Sequence, residues 1–378
     1  MGHSRGLRAA SGRMAAIVGA FALVVMGLVT PASSSSSRGA GGPAQVAQAT
    51  ARVAHSGGAT AVGGRSGVTG GALFGGNHPV VPLERSLGRK LAILRLPSPL
   101  QELHDGRLAS AGVRLYLKRD DLISPDIPGN KWRKLKYNLA AARSQGHRVL
   151  LTFGGAYSNH IRATAAAGYY WGFATVGVIR GEEHRPLNPC LDYAVRHGMR
   201  LAYLDRAAYR EKTSPAVIEA LHGQFGEFYL LPEGGSNAEA VRGCAEVPGE
   251  IGQDFGLICC PCGTGGTLAG LAHGLGTGQR ALGFSVLKGG QFLARDVAAL
   301  QRAAFGANPA NWSIEHGFHF GGFAKRTPAL GQFIAGFEDR HALALDWVYT
   351  AKMMYGIFAL AAQGAFAPGT SIVAVITG

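Results

Sequence analysis

The chain has no acidic residue before Glu84, although the same stretch carries six arginines. Charged residues make up only 16% of the whole, and the five cysteines are an odd number. Each shortage excludes something. An odd cysteine set, with three crowded into Cys259-Cys260-Pro261-Cys262, cannot be a regular disulfide framework. The C-x-x-C spacing inside that run has no second pair for zinc and ends an apolar strand. These thiols therefore read as buried and structural, in a reducing compartment, and no metal is expected. The formal charge of +14 falls to +8 once the six leader arginines are subtracted, and the remainder forms no long basic run. Nucleic acid is therefore not expected as a partner. What remains is 378 residues with 47% hydrophobic content, the composition of a globular core-former.

Residues 1–83 are a different material from the rest. Arg5, Arg8 and Arg13 precede the apolar run Ala15–Val29, followed by Thr30-Pro31-Ala32 and the serines Ser33 to Ser37. The 15-residue run is short for a membrane span. A basic start, an apolar centre and a small-residue exit fit a signal peptide cleaved near Ala32; the Arg/Ser/Ala-rich composition also fits a transit peptide. A mis-assigned start is the third reading. The location is then cytoplasmic if the start is mis-assigned and exported or organellar otherwise, with membrane contact only if the leader is retained.

From about Leu91 onward, apolar runs alternate with helical patterns. Strands are expected at Val113–Lys118, Val149–Phe153, Thr175–Ile179, Leu201–Leu204, Phe228–Leu231, Leu257–Cys260, Leu282–Val286 and Ile372–Ile376. Helices are expected at Lys131–Ser144, Asn159–Tyr170, Pro189–His197, Pro215–Gln224, Asn237–Gln253, Thr267–Leu275, Leu293–Phe305, Pro328–Arg340 and Ala351–Gln363, the fifth kinked or broken by Pro248. Such alternation defines an α/β protein with two open, largely parallel sheets flanked by helices. In such sheets ligands bind at the carboxyl ends of strands, so the loops there carry the chemistry.

Lys131 opens one of these helices within Gly129-Asn130-Lys131-Trp132-Arg133-Lys134-Leu135, with Asn130 as the expected N-cap. At about 100° per residue it falls beside Leu135 and Leu139, opposite Arg133 and Tyr137. Apolar surroundings and the positive helix end both disfavour an ammonium, which a Schiff-base lysine requires. The bland alternative makes Lys131, Arg133, Lys134 and Lys136 a solvated basic patch.

Three strand-end loops add to this. Gly263-Thr264-Gly265-Gly266-Thr267 precedes a helix and resembles a phosphate cradle. It lacks the third glycine and the acidic residue of a nicotinamide fingerprint, and the Gly-Lys-Ser/Thr of a nucleotide loop. Gly154-Gly155-Ala156-Tyr157-Ser158-Asn159-His160 sets a hydroxyl, an amide and a helix start around space for a small carboxylate, with Ser158 or Asn159 as cap. His160 reads as a satisfied helix-start histidine ahead of a proton carrier. Leu231-Pro232-Glu233-Gly234-Gly235-Ser236-Asn237 is a sharp turn and helix cap.

Taken with Lys118-Arg119-Asp120-Asp121, the order and spacing of these segments resemble the 1-aminocyclopropane-1-carboxylate deaminase/D-cysteine desulfhydrase family. Its members are pyridoxal-phosphate enzymes of the tryptophan synthase β-subunit-like fold. The resemblance spans about Leu91 to Gly378 and implies pyridoxal 5'-phosphate as cofactor, a small amino acid as substrate and a homodimer. It implies a large domain from 84–137 plus 232–378 and a smaller one from 138–231. It further implies that Lys131 forms the Schiff base, Asn159 bonds the cofactor ring hydroxyl, and Ser158 holds the substrate carboxylate or helps move protons. Gly263, Thr264, Gly265, Gly266 and Thr267 would bind the phosphate, Tyr349 would be the active-site tyrosine, and Thr377 would face the pyridine nitrogen. Phe323 departs from the family pattern where a second tyrosine is usual, Ile376 where a histidine is common, and Tyr157 where many relatives carry glutamine.

Thr350 stands where cyclopropane-ring openers of this family typically carry glutamate. A neutral hydroxyl cannot stabilise a pyridinium as a carboxylate can. The expected activity is therefore D-cysteine desulfhydrase-like β-elimination. Cyclopropane deamination is the first alternative, and cofactor binding with little turnover is the second.

Overall fold

Wherever the sequence carries one of those apolar runs, the computed structural model, which describes residues 94–127 and 129–377, places a strand. The leader reading for residues 1–83 lies outside the described residues. The strands are β1 (Leu100–Leu103), β2 (Arg114–Lys118), β3 (Val149–Gly154), β4 (Ala174–Arg180), β5 (Met199–Leu204), β6 (Tyr229–Leu231), β7 (Leu257–Cys262), β8 (Arg280–Ser285), β9 (Trp312–Glu315) and β10 (Ser371–Val375). The helices are α1 (Gly106–Ser110), α2 (Lys131–Ser144), α3 (Asn159–Trp171), α4 (Pro189–Arg196), α5 (Arg206–Arg210), α6 (Pro215–Phe225), α7 (Ala238–Cys244), α8 (Gly266–Gly274), α9 (Leu293–Phe305), α10 (Pro328–His341) and α11 (Thr350–Ala362).

Two sheets result. One has the order β1-β2-β10-β7-β8-β9, parallel throughout except for the antiparallel edge strand β1. The other, β5-β4-β3-β6, is fully parallel. Neither β1 nor β9 is among the strands expected from the sequence. Both are four-residue edge strands with one neighbour each and little buried surface, so neither has the continuous apolar run that marks an interior strand.

Side chains alternate across the larger sheet as a period of two requires. Leu115, Leu117, Cys259, Ile372 and Ala374 pack against Leu330, Phe337, Met353 and Ile357 of α10 and α11. Tyr116, Ile258, Cys260, Val373 and Val375 pack on the other face against Leu268, Leu271, Leu293 and Val297 of α8 and α9. Four cysteines are thus core residues; all five are free thiols. The helix expected over Asn237–Gln253 ends at Cys244, and Pro248 opens a separate short 3-10 turn to Glu250. α7 lies hard against α2, because a methyl group at Gly243 would run into the Arg133 carbonyl. No helix among the described residues is long and apolar enough to cross a membrane.

Candidate active site

Asn130 is the junction of the site, in a different way from the expected cap. Its φ and ψ of −66° and 0° are helical, and its side chain makes no capping bond. Instead Nδ2 donates to Thr267 Oγ1 at 2.7 Å, Oδ1 accepts from Lys131 Nζ at 2.7 Å, and the backbone N–H donates to the Thr377 carbonyl at 3.1 Å. The amide is spent on tertiary bonds because α2 begins against α8 and the end of β10. Three expected site residues, Lys131, Thr267 and Thr377, are thereby gathered around one residue, the first two on its side chain and the third on its backbone.

The Lys131 amine is held at about 7, first by burial and then by the Lys134 charge one turn on. The lowered basicity expected from the sequence is present, with a neighbouring ammonium as an additional cause. The solvated-patch alternative fails: Arg133 and Lys134 are buried, and Lys136 pairs with Glu246. Arg133 makes a two-pronged bond to Asp120 at 2.7 Å through Nε and Nη2, and reaches Glu250 at 2.8 Å. Lys118, fully buried, donates to the Ser98 carbonyl at 2.6 Å and pairs with Glu250 at 2.8 Å. Burial alone would raise the Glu250 carboxyl, but hydrogen bonds and charge from Arg133 and Lys118 hold it at about 2. This ionic cluster fixes the first turn of α2 from behind.

Lys134 projects into the glycine-rich region and not into solvent. Its Nζ donates to the Gly234 carbonyl and to Ser236 Oγ, both at 3.0 Å, and Ser236 Oγ lies 2.6 Å from Thr264 Oγ1. Gly265 at φ +76° starts α8 without a side-chain cap. A Cβ on Gly266 would sit 2.6 Å from Ser236 Oγ and 3.5 Å from Lys134 Nζ. The result is a cradle of hydroxyls, one lysine amine whose basicity burial lowers and an uncapped helix start, which suits a phosphate. Its signal was present in the sequence, since Lys134 follows Lys131 by one helical turn.

Ser158 caps α3 by accepting from the Ile161 N–H at 3.3 Å, as expected of this loop. Asn159 follows as the first helical residue, and His160 carries the loop toward the cradle. The His160 ring lies against Gly235, where a Cβ would meet its Cε1 at 2.7 Å. It is buried, with neither ring nitrogen hydrogen-bonded among the described residues, so it is not the satisfied histidine expected. Burial and the charges of Lys131 and Lys134 keep it neutral.

Tyr349 packs over the start of the cradle, where a Cβ on Gly263 would lie 3.2 Å from its Cε1, and meets Phe323 edge-on at 5.9 Å. Burial, then the Asp346 and Glu233 charges, push its phenol up, so it is protonated at neutral pH. Thr350 is buried, and its hydroxyl donates to Asp346 Oδ2 at 2.7 Å. Asp346 also accepts from the backbone N–H groups of Val348, Tyr349 and Thr350. The sequence reading missed this carboxylate behind Thr350.

A recessed, weakly basic lysine beside an anion cradle and a protonated tyrosine, at the strand ends of an open α/β fold, defines a pyridoxal-phosphate type of site. The comparisons agree. A family model described as pyridoxal-phosphate dependent enzyme matches residues 92–378. A Pyrococcus furiosus protein provisionally named a 1-aminocyclopropane-1-carboxylate deaminase is 32% identical over 316 residues, covering 80% of this chain and 95% of its own. The bifunctional D-cysteine desulfhydrase/1-aminocyclopropane-1-carboxylate deaminase, mitochondrial, of Arabidopsis thaliana is 28% identical, covering 70% of this chain and 72% of its own. A solved structure of an ACC deaminase homologue superposes with a TM-score of 0.68 at 29% identity, over 80% of this chain and 95% of that one. The chain belongs to the pyridoxal-phosphate-dependent enzymes. Within them it is a member of the 1-aminocyclopropane-1-carboxylate deaminase/D-cysteine desulfhydrase family, with pyridoxal 5'-phosphate as its cofactor.

Proposed function

We propose that this enzyme is a lyase that splits D-cysteine or a close analogue by β-elimination, consuming water and releasing sulfide, ammonia and pyruvate. The observation that carries the choice is Thr350. Its buried side chain is a neutral hydroxyl whose hydrogen is donated to Asp346, so the position that carries glutamate in ring-opening enzymes bears no charge of its own.

When bound, the cofactor supplies the electron sink that stabilises a carbanion at the substrate's α carbon. Lys131, with an amine at about 7, holds the cofactor and carries the α proton once freed. Lys134, Ser236, Thr264 and the N–H groups from Gly263 to Thr267 would bind the phosphate. Asn159 would take the ring hydroxyl, Thr377 would face the ring nitrogen, and Ser158 would receive the substrate carboxylate. The protonated Tyr349 phenol donates to the departing sulfur. On the division into a large domain, 84–137 plus 232–378, and a smaller one, 138–231, the reacting atoms would lie between the two.

Incubation of the holoenzyme with D- and L-cysteine, D-serine and 1-aminocyclopropane-1-carboxylate, with oxo-acid and sulfide detection, tests the reading. Sulfide and pyruvate from D-cysteine are expected. Ammonia and 2-oxobutanoate formed rapidly from the cyclopropane substrate would replace this activity with the deaminase. A yellow protein that none of the amino acids bleaches would favour cofactor binding without turnover. Borohydride reduction and peptide mapping should place the cofactor on Lys131, not on Lys118, Lys134 or Lys136.

A further inference from the structure

Beside Asn159 opens a cleft of about 500 Å³ bounded by Tyr157, Asn159, Arg162, Pro189, Cys190 and Tyr193. That is more room than a cysteine side chain fills, within the size range of pockets for larger ligands. Arg162 is one turn beyond Asn159 and Ser158 on the same face of α3. Its guanidinium lies 4.5 Å over the Tyr193 ring, and Nη2 donates to the Pro125 carbonyl at 3.3 Å. Nε is buried without a partner among the described residues, and no carboxylate pairs with the group there. Asp126, on the neighbouring loop, is instead taken by the hydroxyls of Tyr170 at 2.5 Å and Tyr193 at 3.0 Å. Burial pushes the Cys190 thiol up, so it stays uncharged. The cleft thus holds a partly shielded cation that no carboxylate of the described residues pairs with directly, and an anion is the partner such a group takes.

We infer that this cleft is a subsite for a second, distal carboxylate of the substrate, with Arg162 as the residue that selects it. The inference rests on the proposed placement of the substrate's own carboxylate at Ser158. Ser158 and Arg162 are four positions apart, about 6 Å of rise along the helix, a span that a ligand with its two carboxylates about five bonds apart matches. An S-carboxymethyl cysteine has that span. Its cleavage balances as substrate plus water giving pyruvate, ammonium and mercaptoacetate: the Cβ–S bond breaks, the sulfur leaves with the electron pair and takes a proton.

The experiment measures binding, so it does not depend on turnover. The holoenzyme and its Arg162→Gln and Arg162→Lys variants are titrated calorimetrically with both enantiomers of 2-aminoadipate and of its terminal amide. These pairs have the required span, differ only in charge, and carry no β leaving group. The native enzyme should bind one enantiomer of the acid at least ten-fold tighter than its amide. Arg162→Gln should abolish the ratio, and Arg162→Lys should retain part of it. Acid and amide bound within two-fold by the native enzyme, or a ratio that survives in Arg162→Gln, overturns the inference. If Arg162→Gln does not fold, the native ratio and the lysine variant decide. A preserved ratio in an enzyme that releases no oxo acid from cysteine would sink the proposed reaction and leave the subsite standing.

Discussion

Glu250→Gln removes the one carboxylate that serves both Lys118 and Arg133, and its effect can be worked from the structure. Holding that carboxyl at about 2 instead of its usual 4.5 is equivalent by linkage to ~3 kcal/mol of stability. The Glu250 side chain keeps 19% exposure, so solvent screening trims this to ~2 kcal/mol. A second contribution opposes any larger discount: Lys118 is wholly buried and would keep only the Ser98 carbonyl and a neutral amide as partners. Removing one member of a buried pair costs about 3–5 kcal/mol. A loss of about 2–4 kcal/mol is expected, or a thermal midpoint lower by roughly 3–7 °C for a body of this size. Glu246→Gln, which breaks the more exposed pair with Lys136, should cost about 0.5 kcal/mol or less. The sign with pH is fixed. Glu250 has a depressed folded-state pKa, so its stabilisation is complete above about pH 4.5 and is lost as pH falls toward 2. Denaturant melts of native and Glu250→Gln protein should therefore converge in acid. A gap between them that is the same at pH 7 and pH 3, or no gap at all, would refute the argument.

Three other expectations follow from the site. Uptake of cofactor by protein stripped of it requires the free amine of Lys131, so its rate should rise through pH 7 and level off above; a midpoint near 10, read by absorbance, would contradict the burial argument. Gly266→Ala should weaken cofactor binding by at least ten-fold with the circular dichroism unchanged, because its methyl enters the cradle 2.6 Å from Ser236 Oγ; Gly106→Ala, with open space around it, is the control, and equal retention would mean the cradle is misplaced. Thr350→Glu should not create a ring-opening enzyme. It would bury a second carboxylate against Asp346, lowering the melting midpoint and shedding cofactor, and a stable variant that opens the cyclopropane would refute this.

The parts of the site legible in the sequence are those whose chemistry is local. A glycine needed for close approach, a serine that caps the helix it precedes and a lysine on the apolar side of its own helix each show in a few residues. The interior strands are legible for the same reason, since a strand buried on both faces is one unbroken apolar run. What misleads is charge. Lys131, Arg133, Lys134 and Lys136 form one basic string, yet the four side chains have four fates, set by partners elsewhere. Arg133 is claimed by Asp120 and Glu250, the latter 117 positions away, and Lys134 by Gly234 and Ser236, about 100 positions away. No window on the string itself contains those partners. Asn130 misleads in the same way, because its capping amide is drawn off by Thr267, 137 positions on. Asp346 is the instructive exception, being only four residues before Thr350 and placed like a helix cap. It was readable, and reading it changes the meaning of Thr350 from the absence of a charge to a hydroxyl that leans on one.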